Sequence, residues 1–129
     1  IAKELKENSE TKEVSEKEIP SDQMGLDVGS ETIKEMTSIL NDAKTVIWNG
    51  PLGAFEIKPF DKATSEVAKC ISKSSAKSIV GGGDTISAIN KEGLSEFITH
   101  MSTGGGASLE FLEGKQLPGI KCLEKNKGA

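Results

Sequence analysis

Arginine is absent from this 129-residue chain, whose 16 basic residues are all lysines. Arginine is the usual bidentate clamp for phosphate and carboxylate groups. A chain that handles phosphate without it must use backbone N–H groups, lysine and a metal ion, with any arginine clamp supplied from elsewhere. No apolar run approaches the ~20 residues of a membrane span. The opening Ile1-Ala2-Lys3-Glu4-Leu5-Lys6 lacks the apolar stretch of a secretory signal. An initiator methionine is also missing, which is consistent with a fragment. Cys70 and Cys122 are far apart and form no CxxC pair, which argues against zinc and for reduced thiols in a cytoplasmic protein. The net charge is −4, and the lysines between Lys3 and Lys17 alternate with glutamates. Nucleic-acid binding needs clustered cations instead. Two common phosphate signatures are absent as well. The single Gly-Lys pair, Gly114-Lys115, is followed by Gln116, so there is no Walker A motif. Gly81 and Gly83 are followed by Ile86, which breaks the dinucleotide fingerprint GxGxxG.

What is present fits one soluble globular domain with a real core: hydrophobic residues make up 35% and charged residues 28%. Val14 and Ile19 suggest a short strand, and Pro20-Ser21-Asp22 a turn. Ser30 reads as an N-cap. Ile33, Met36, Ile39, Leu40 and Ala43 then recur with helical period, predicting a helix from about Ser30 to Asp42. Lys44 to Trp48 is β-branched and apolar, and reads as a buried strand entering the turn Asn49-Gly50-Pro51. Asp61 to Ser74 reads as a helix with Ala63, Val67, Cys70 and Ile71 inward. Lys77 to Val80 is a second strand, Thr85 to Lys91 a helix with Ile86 and Ile89 inward, and Glu96 to Met101 a third strand. Ala107 to Glu113 is helical with Gly114 as its C-cap, and Leu117-Pro118-Gly119 reads as a turn. Short strands alternating with helices predict an α/β fold: a Rossmann-like parallel sheet flanked by helices. Ligands of such sheets bind beyond the carboxyl ends of the strands, and all three strands here run into glycine-rich loops.

The first loop, Asn49-Gly50-Pro51-Leu52-Gly53-Ala54-Phe55-Glu56, offers an apolar rim for a flat ring and a carboxylate for sugar hydroxyls. The same residues also suit an ordinary turn with a solvated glutamate. In the second, Gly81-Gly82-Gly83-Asp84-Thr85, three glycines between strand and helix bare the backbone N–H groups as an anion site. Asp84 suits either a helix cap or a magnesium ligand, since magnesium takes one or two carboxylates plus substrate oxygens. The third, Ser102-Thr103-Gly104-Gly105-Gly106-Ala107-Ser108, repeats the device. Two glycine triplets, each opening a helix, carry an entropic cost that packing alone does not readily explain. His100, Trp48 and the Lys/Glu run look structural.

Taken together and in register, these three loops resemble the phosphoglycerate kinase family. Leu112-Glu113-Gly114-Lys115-Gln116-Leu117-Pro118-Gly119 and Met24-Gly25-Leu26-Asp27-Val28-Gly29 extend the likeness from about Ile19 to Leu123. The resemblance implies a two-lobe kinase that reversibly transfers a phosphoryl group from 1,3-bisphosphoglycerate to ADP, giving 3-phosphoglycerate and ATP in glycolysis. Residues 1–129 would be its C-terminal nucleotide-binding lobe, truncated at the N-terminal side, with about 117–129 returning toward the missing lobe. Carried over by position, Gly25, Leu26, Pro51 and Ala54 would line the adenine pocket, Glu56 would hold the ribose, and Asn49 would approach the phosphates. Gly81 and Gly82 would belong to the nucleotide site, and Gly83, Asp84 and Thr85 would meet the β- and γ-phosphates, with Asp84 holding Mg2+. Gly104, Gly105 and Gly106 would aim helix amides at the transferring group, and Ser102 and Thr103 would lie near the hinge between lobes.

The family also implies a cytoplasmic monomer as the full-length enzyme, with no nucleic-acid or membrane partner. Three departures stand out: Ser30-Glu31-Thr32 replaces a common Pro-Lys-Thr, Ala54 replaces a larger aliphatic residue, and the phosphate-contacting lysine of the family lies upstream of this chain. Such transfer is positioning and charge stabilisation with no covalent enzyme intermediate. The glycine loops need lobe closure to exclude water, so the chain alone is expected to be inactive. A non-catalytic adenine-nucleotide-binding module is the alternative.

Overall fold

The computed structural model describes residues 1–125. Helix α1 (Ser30–Asp42) leads to strand β1 (Thr45–Asn49), then α2 (Lys62–Lys73), β2 (Lys77–Gly81), α3 (Gly83–Lys91), β3 (His100–Ser102), α4 (Gly105–Leu112) and α5 (Pro118–Lys125). The strands form one parallel sheet in the order β1-β2-β3. This is the α/β arrangement expected from the alternation of strands and helices.

Alternation within the strands sets which face is covered. Val46, Trp48, Ser78 and Val80 point inward, while Thr45, Ile47, Lys77 and Ile79 point out. The inner face packs on Val67, Ala68 and Ile71 of α2, on Ile89 of α3 and on Ile98. Met36, Leu40 and Ile86 pack at the margin of this cluster. Ile33, Ala63, Val67, Ile71 and Ile89 fall where the 3.6-residue period places them. Cys70 lies half-buried between α1 and α2, its thiol facing Asn41 Oδ1 at 3.4 Å. β1 is covered on one face only, since Ile47 is 51% exposed. The outer face, with Ile47, Ile79 and His100, opens into an apolar groove of about 540 Å³ bordered by Leu109, Phe111 and Ile120.

Several boundaries differ from the sequence expectation. Residues 14 and 19 form no strand; the segment holds a 3-10 turn at Glu16–Glu18. Nearby, an isolated antiparallel pairing joins Ala2 to Met24, through bonds of 3.1 and 2.9 Å. The third strand begins at His100 rather than Glu96, because Ser95–Phe97 winds into a 3-10 turn. Side-chain hydroxyls then replace the ladder: Ser78 N–H donates to Thr99 Oγ1 and Thr99 N–H to Ser78 Oγ.

Ser30 is the first helical residue and not the cap. Gly29 holds the N-cap position, and the Glu13 carboxylate accepts both the Ser30 hydroxyl (2.7 Å) and its N–H (3.0 Å). Those bonds hold the Glu13 carboxyl below its ordinary pKa. Pro118 starts α5 instead of a turn, at the first helical position where a missing N–H costs nothing. Gly114 closes α4 as expected. At φ +79°, it donates to Phe111 O, and Lys115 N–H reaches Glu110 O, the paired bonds of a Schellman ending. Of the expected return segment, residues 126–129 lie outside the described residues.

Candidate functional site

Because the strands are parallel and in register, their carboxyl ends lie level: Asn49 pairs with Gly81, and Gly81 with Ser102. The three glycine-rich loops therefore leave the same edge of the sheet side by side, as the sequence pattern requires of a binding crevice.

Short polar links lock these loops to one another. Gly50, at φ +98°, is held at both ends: its N–H donates to Thr85 Oγ1 at 2.8 Å and its carbonyl accepts Trp48 Nε1–H at 2.7 Å. Asn49 Nδ2 donates to Gly105 O at 3.0 Å, tying the first loop to the third. Gly82, at φ +93°, donates its N–H to Ser102 O at 3.0 Å, tying the second to the third. A Cβ on Gly81 would meet Asn49 Nδ2 at 3.2 Å, and one on Gly82 would meet Asn49 Oδ1 at 3.1 Å. Glycine at these two positions lets the Asn49 side chain lie between the loops.

Each triplet opens a helix. Ile86 is the first residue of α3 to bond back, to Gly82 O, and Ser108 the first of α4, to Gly104 O. The N–H groups of Gly83, Asp84 and Thr85, and of Gly105, Gly106 and Ala107, have no partner among the described residues. Thr85 is fully buried; the other five orphan donors, at two adjacent helix N-termini, favour an anion. Gly83 and Gly106 differ from the other loop glycines. Neither has a positive φ, and a Cβ on either would meet nothing within 4 Å. Neither backbone geometry nor packing within the chain demands glycine there.

Beside the second triplet lies a cavity of about 260 Å³ lined by Pro51, Gly53, Ala54, Glu56 and Asp84. Four of the residues expected to bind nucleotide are thus brought to one cavity, with the exposed Glu56 and Asp84 carboxylates on its wall. Asp84 is a lone carboxylate at the first turn of α3, beside orphan amides. Among the described residues no group of three or more His, Cys, Asp or Glu is arranged for a metal. This donor set suits an ion shared with phosphate oxygens rather than a resident metal.

Other expected site residues sit differently. Gly25 lines a separate cavity with Ile19 and Asp27. Leu26 joins the first loop through its carbonyl, which accepts Ala54 N–H at 2.8 Å. Thr85 is fully buried, backbone included, so its hydroxyl serves Gly50 and neither the hydroxyl nor the N–H is presented to a ligand. Gly82 N–H is likewise spent on Ser102.

Two residues that sequence reasoning did not single out hold the first loop in place. The Thr64 hydroxyl, 2% exposed, accepts Leu52 N–H at 2.9 Å and donates to Leu52 O at 2.6 Å. Asp27 accepts Val28 N–H and Ala63 N–H. Burial pushes its carboxyl above the usual range despite those bonds. Nothing in local spacing marks either residue, because each acts across a turn or a long chain separation.

The phosphoglycerate kinase family model matches residues 1–115. The chain belongs to the phosphoglycerate kinase family. Among curated relatives, the phosphoglycerate kinase of Leptospira biflexa is 54% identical over 123 residues, covering 95% of this chain and 31% of that protein. That of Borrelia turicatae is 54% identical over 125 residues, covering 97% and 32%. Among solved structures, the phosphoglycerate kinase of Coxiella burnetii superposes with a TM-score of 0.86 at 43% identity, over 93% of this chain and 31% of that one. The Pyrococcus horikoshii OT3 enzyme gives 0.70 at 43% identity, over 77% and 24%. This chain therefore spans about a third of the length of these phosphoglycerate kinases.

Proposed function

We propose that this chain is the nucleotide-binding part of a phosphoglycerate kinase, the later portion of its C-terminal lobe, with about 117–129 running back toward the other lobe. The observation that carries this reading is the level meeting of two glycine triplets, whose helix amides lack partners beside the Asp84 cavity. Gly83 and Gly106 add to it. A polyphosphate lying on the backbone gives a reason for glycine where the chain itself gives none. Family membership supplies the chemistry to which such a site belongs.

In this reading Pro51 and Ala54 face the adenine, Glu56 accepts from the ribose hydroxyls, and the exposed amides of Gly83 and Asp84 receive the phosphates. Gly25 and Leu26 back this loop, and Asn49 orients the first loop against the third. The amides of Gly105 to Ala107 meet the group in flight, and the Gly104 carbonyl starts the helix that carries them. Asp84 holds Mg2+ together with nucleotide oxygens; when bound, the ion neutralises charge on the phosphates. Gly81 and Gly82 act by close packing.

The reaction is an in-line displacement. An oxygen of the ADP β-phosphate attacks the acyl phosphate of 1,3-bisphosphoglycerate, the bond to the carboxyl oxygen breaks, and 3-phosphoglycerate leaves as ATP forms. The chain's contribution is to fix distance and offer donors to developing charge, each worth roughly 3–4 kcal/mol in a water-free site. An exposed helix terminus provides only about 0.3–1 kcal/mol, so closure by the other lobe is required and the chain alone is inactive. The open apolar face of the sheet favours the same division. All-parallel sheets are covered on both faces, and here Ile47 and Ile79 are exposed. A cytoplasmic, monomeric full-length enzyme belongs to the same proposal; among the described residues no helix is long and apolar enough to cross a membrane.

Calorimetric titration of the full-length protein with magnesium-ADP and with NADH tests the site. Heat with magnesium-ADP alone supports the reading, and binding of neither ends it. An assay of ATP formation from 1,3-bisphosphoglycerate, by this chain alone and by the full-length protein, separates a kinase from a passive nucleotide binder.

A further inference from the structure

The first turn of α2 is built around groups that reach it from outside. Asp61 holds the N-cap position of this helix but makes no capping bond; its carboxylate lies 3.7 Å from Lys91 Nζ instead. The cap is delivered by Asp27, whose Oδ2 accepts Ala63 N–H at 3.0 Å from 36 residues away in sequence. The other carboxylate oxygen accepts Val28 N–H at 2.9 Å. Gly53 is pressed against that same oxygen: at φ +57°, a Cβ there would lie 2.5 Å from Asp27 Oδ1 and 2.7 Å from Phe60 O. Either side of Gly53, the loop is fixed again. Leu52 exchanges two bonds with the buried Thr64 hydroxyl, and Ala54 N–H donates to Leu26 O. Three consecutive loop residues are thereby fixed, Leu52 by the start of α2, and Gly53 and Ala54 by the segment that carries Leu26 and Asp27.

A helix start can be capped by its own neighbour, and burying a carboxylate is costly. An arrangement that leaves the local Asp61 unused as a cap and half-buries a distant carboxylate gains a fixed distance between the 24–28 segment and the 51–56 loop. We propose that Asp27, with Thr64, is a positioning residue for the base and ribose of the bound nucleotide, setting the height of the loop that presents Pro51, Ala54 and Glu56. The inference rests on the nucleotide-site reading above. The phosphate end of the site is built on α3 and α4, and among the described residues no hydrogen bond joins those helices to Asp27, Thr64 or residues 52–54, so the two ends of the ligand should respond differently.

The test compares magnesium-ADP with magnesium-pyrophosphate, which lacks base and ribose, on the full-length protein. In Asp27→Asn, an amide must turn an N–H toward one of two backbone N–H groups, and the loop shifts. Expected are an ADP dissociation constant and KM raised about tenfold, as sub-ångström misplacement can cause, with pyrophosphate affinity and the KM for 3-phosphoglycerate unchanged. Equal weakening of ADP and pyrophosphate, or no change in either, overturns the proposal. If Asp27→Asn does not fold, the pair Thr64→Val and Thr64→Ser decides. Serine keeps the hydroxyl and wild-type ADP affinity, whereas valine loses affinity. Loss of folding in Thr64→Val as well assigns these groups to the fold alone and overturns the proposal. A wild-type protein that binds no ADP sinks the nucleotide reading and this inference together. A wild type that binds ADP no better than a folded variant sinks only the inference.

Discussion

Gly105 lies directly on Gly82: a Cβ added to Gly105 would sit 2.9 Å from Gly82 Cα and 3.0 Å from Gly82 N. Backbone cannot yield as a side chain can, so Gly105→Ala should cost about 1–3 kcal/mol by overpacking. Gly83→Ala and Gly106→Ala have open space and ordinary dihedrals. Their stability should change by less than ~1 kcal/mol, and in the stabilising direction if anything. Their affinity for magnesium-ATP, which carries the transferable phosphoryl group, should nonetheless fall by about tenfold or more, since ~1.4 kcal/mol of lost amide contact suffices. Denaturant midpoints and calorimetry, run on all three variants, separate a glycine that serves the fold from one that serves the ligand.

Thr85→Val tests the link between the first loop and α3. The hydroxyl is buried and receives Gly50 N–H. Valine keeps the shape and leaves that donor unpaired, at a cost of about 1–3 kcal/mol. The urea midpoint should drop with an unchanged slope.

Asp84→Asn tests the metal assignment. The side chain is exposed, so the fold should be unaffected and the thermal midpoint should not move. ADP binding should lose its dependence on magnesium, and catalytic turnover should fall by at least ~100-fold, given the role of the ion in spreading phosphate charge. Binding measured with and without magnesium checks the first part, and initial rates check the second.

Two carboxylates give opposite pH signatures. Burial holds Asp27 above its ordinary pKa, so the folded chain keeps that proton to higher pH than the unfolded chain. Its stabilising contribution is complete below the ordinary carboxylate range and is lost as pH rises through the folded value. Asparagine does not titrate, so stability should shift in favour of Asp27→Asn, relative to wild type, as pH rises across that window. Glu13 is held below its ordinary pKa by the Ser30 hydroxyl and N–H. Its contribution is present above the ordinary range and lost as pH falls through the folded value. Glu13→Gln should therefore be less stable than wild type near neutrality, with the gap closing on acidification. Urea denaturation between about pH 3 and 6 covers both windows.

The period of Ile33, Met36 and Leu40 and the β-branched run through Val46 made α1 and β1 legible in the sequence, because local pattern decides such elements. The glycine loops were legible as ligand-facing for the same reason: strand, triplet and helix follow one another in a few residues. Partnerships between distant segments were not legible. Ser30 looks like a cap until Glu13 is found capping it from 17 residues away. Thr85 looks like a phosphate donor until its burial shows that the hydroxyl serves Gly50. The third strand is shorter than its sequence suggests because hydroxyl pairs between Ser78 and Thr99 stand in for ladder bonds. The same limit applies to Asp27, whose work is done at Gly53 and Ala63, both far along the chain.

Glycine-selective 15N labelling of the full-length protein, followed as magnesium-ATP is added to supply the transferable phosphoryl group, bears most directly on the role given to the bare amides. The resonances of Gly83, Gly105 and Gly106 should move to saturation together, while those of Gly93 and Gly114, which close helices away from the site, stay in place. Saturable binding that leaves Gly83, Gly105 and Gly106 unmoved would contradict it.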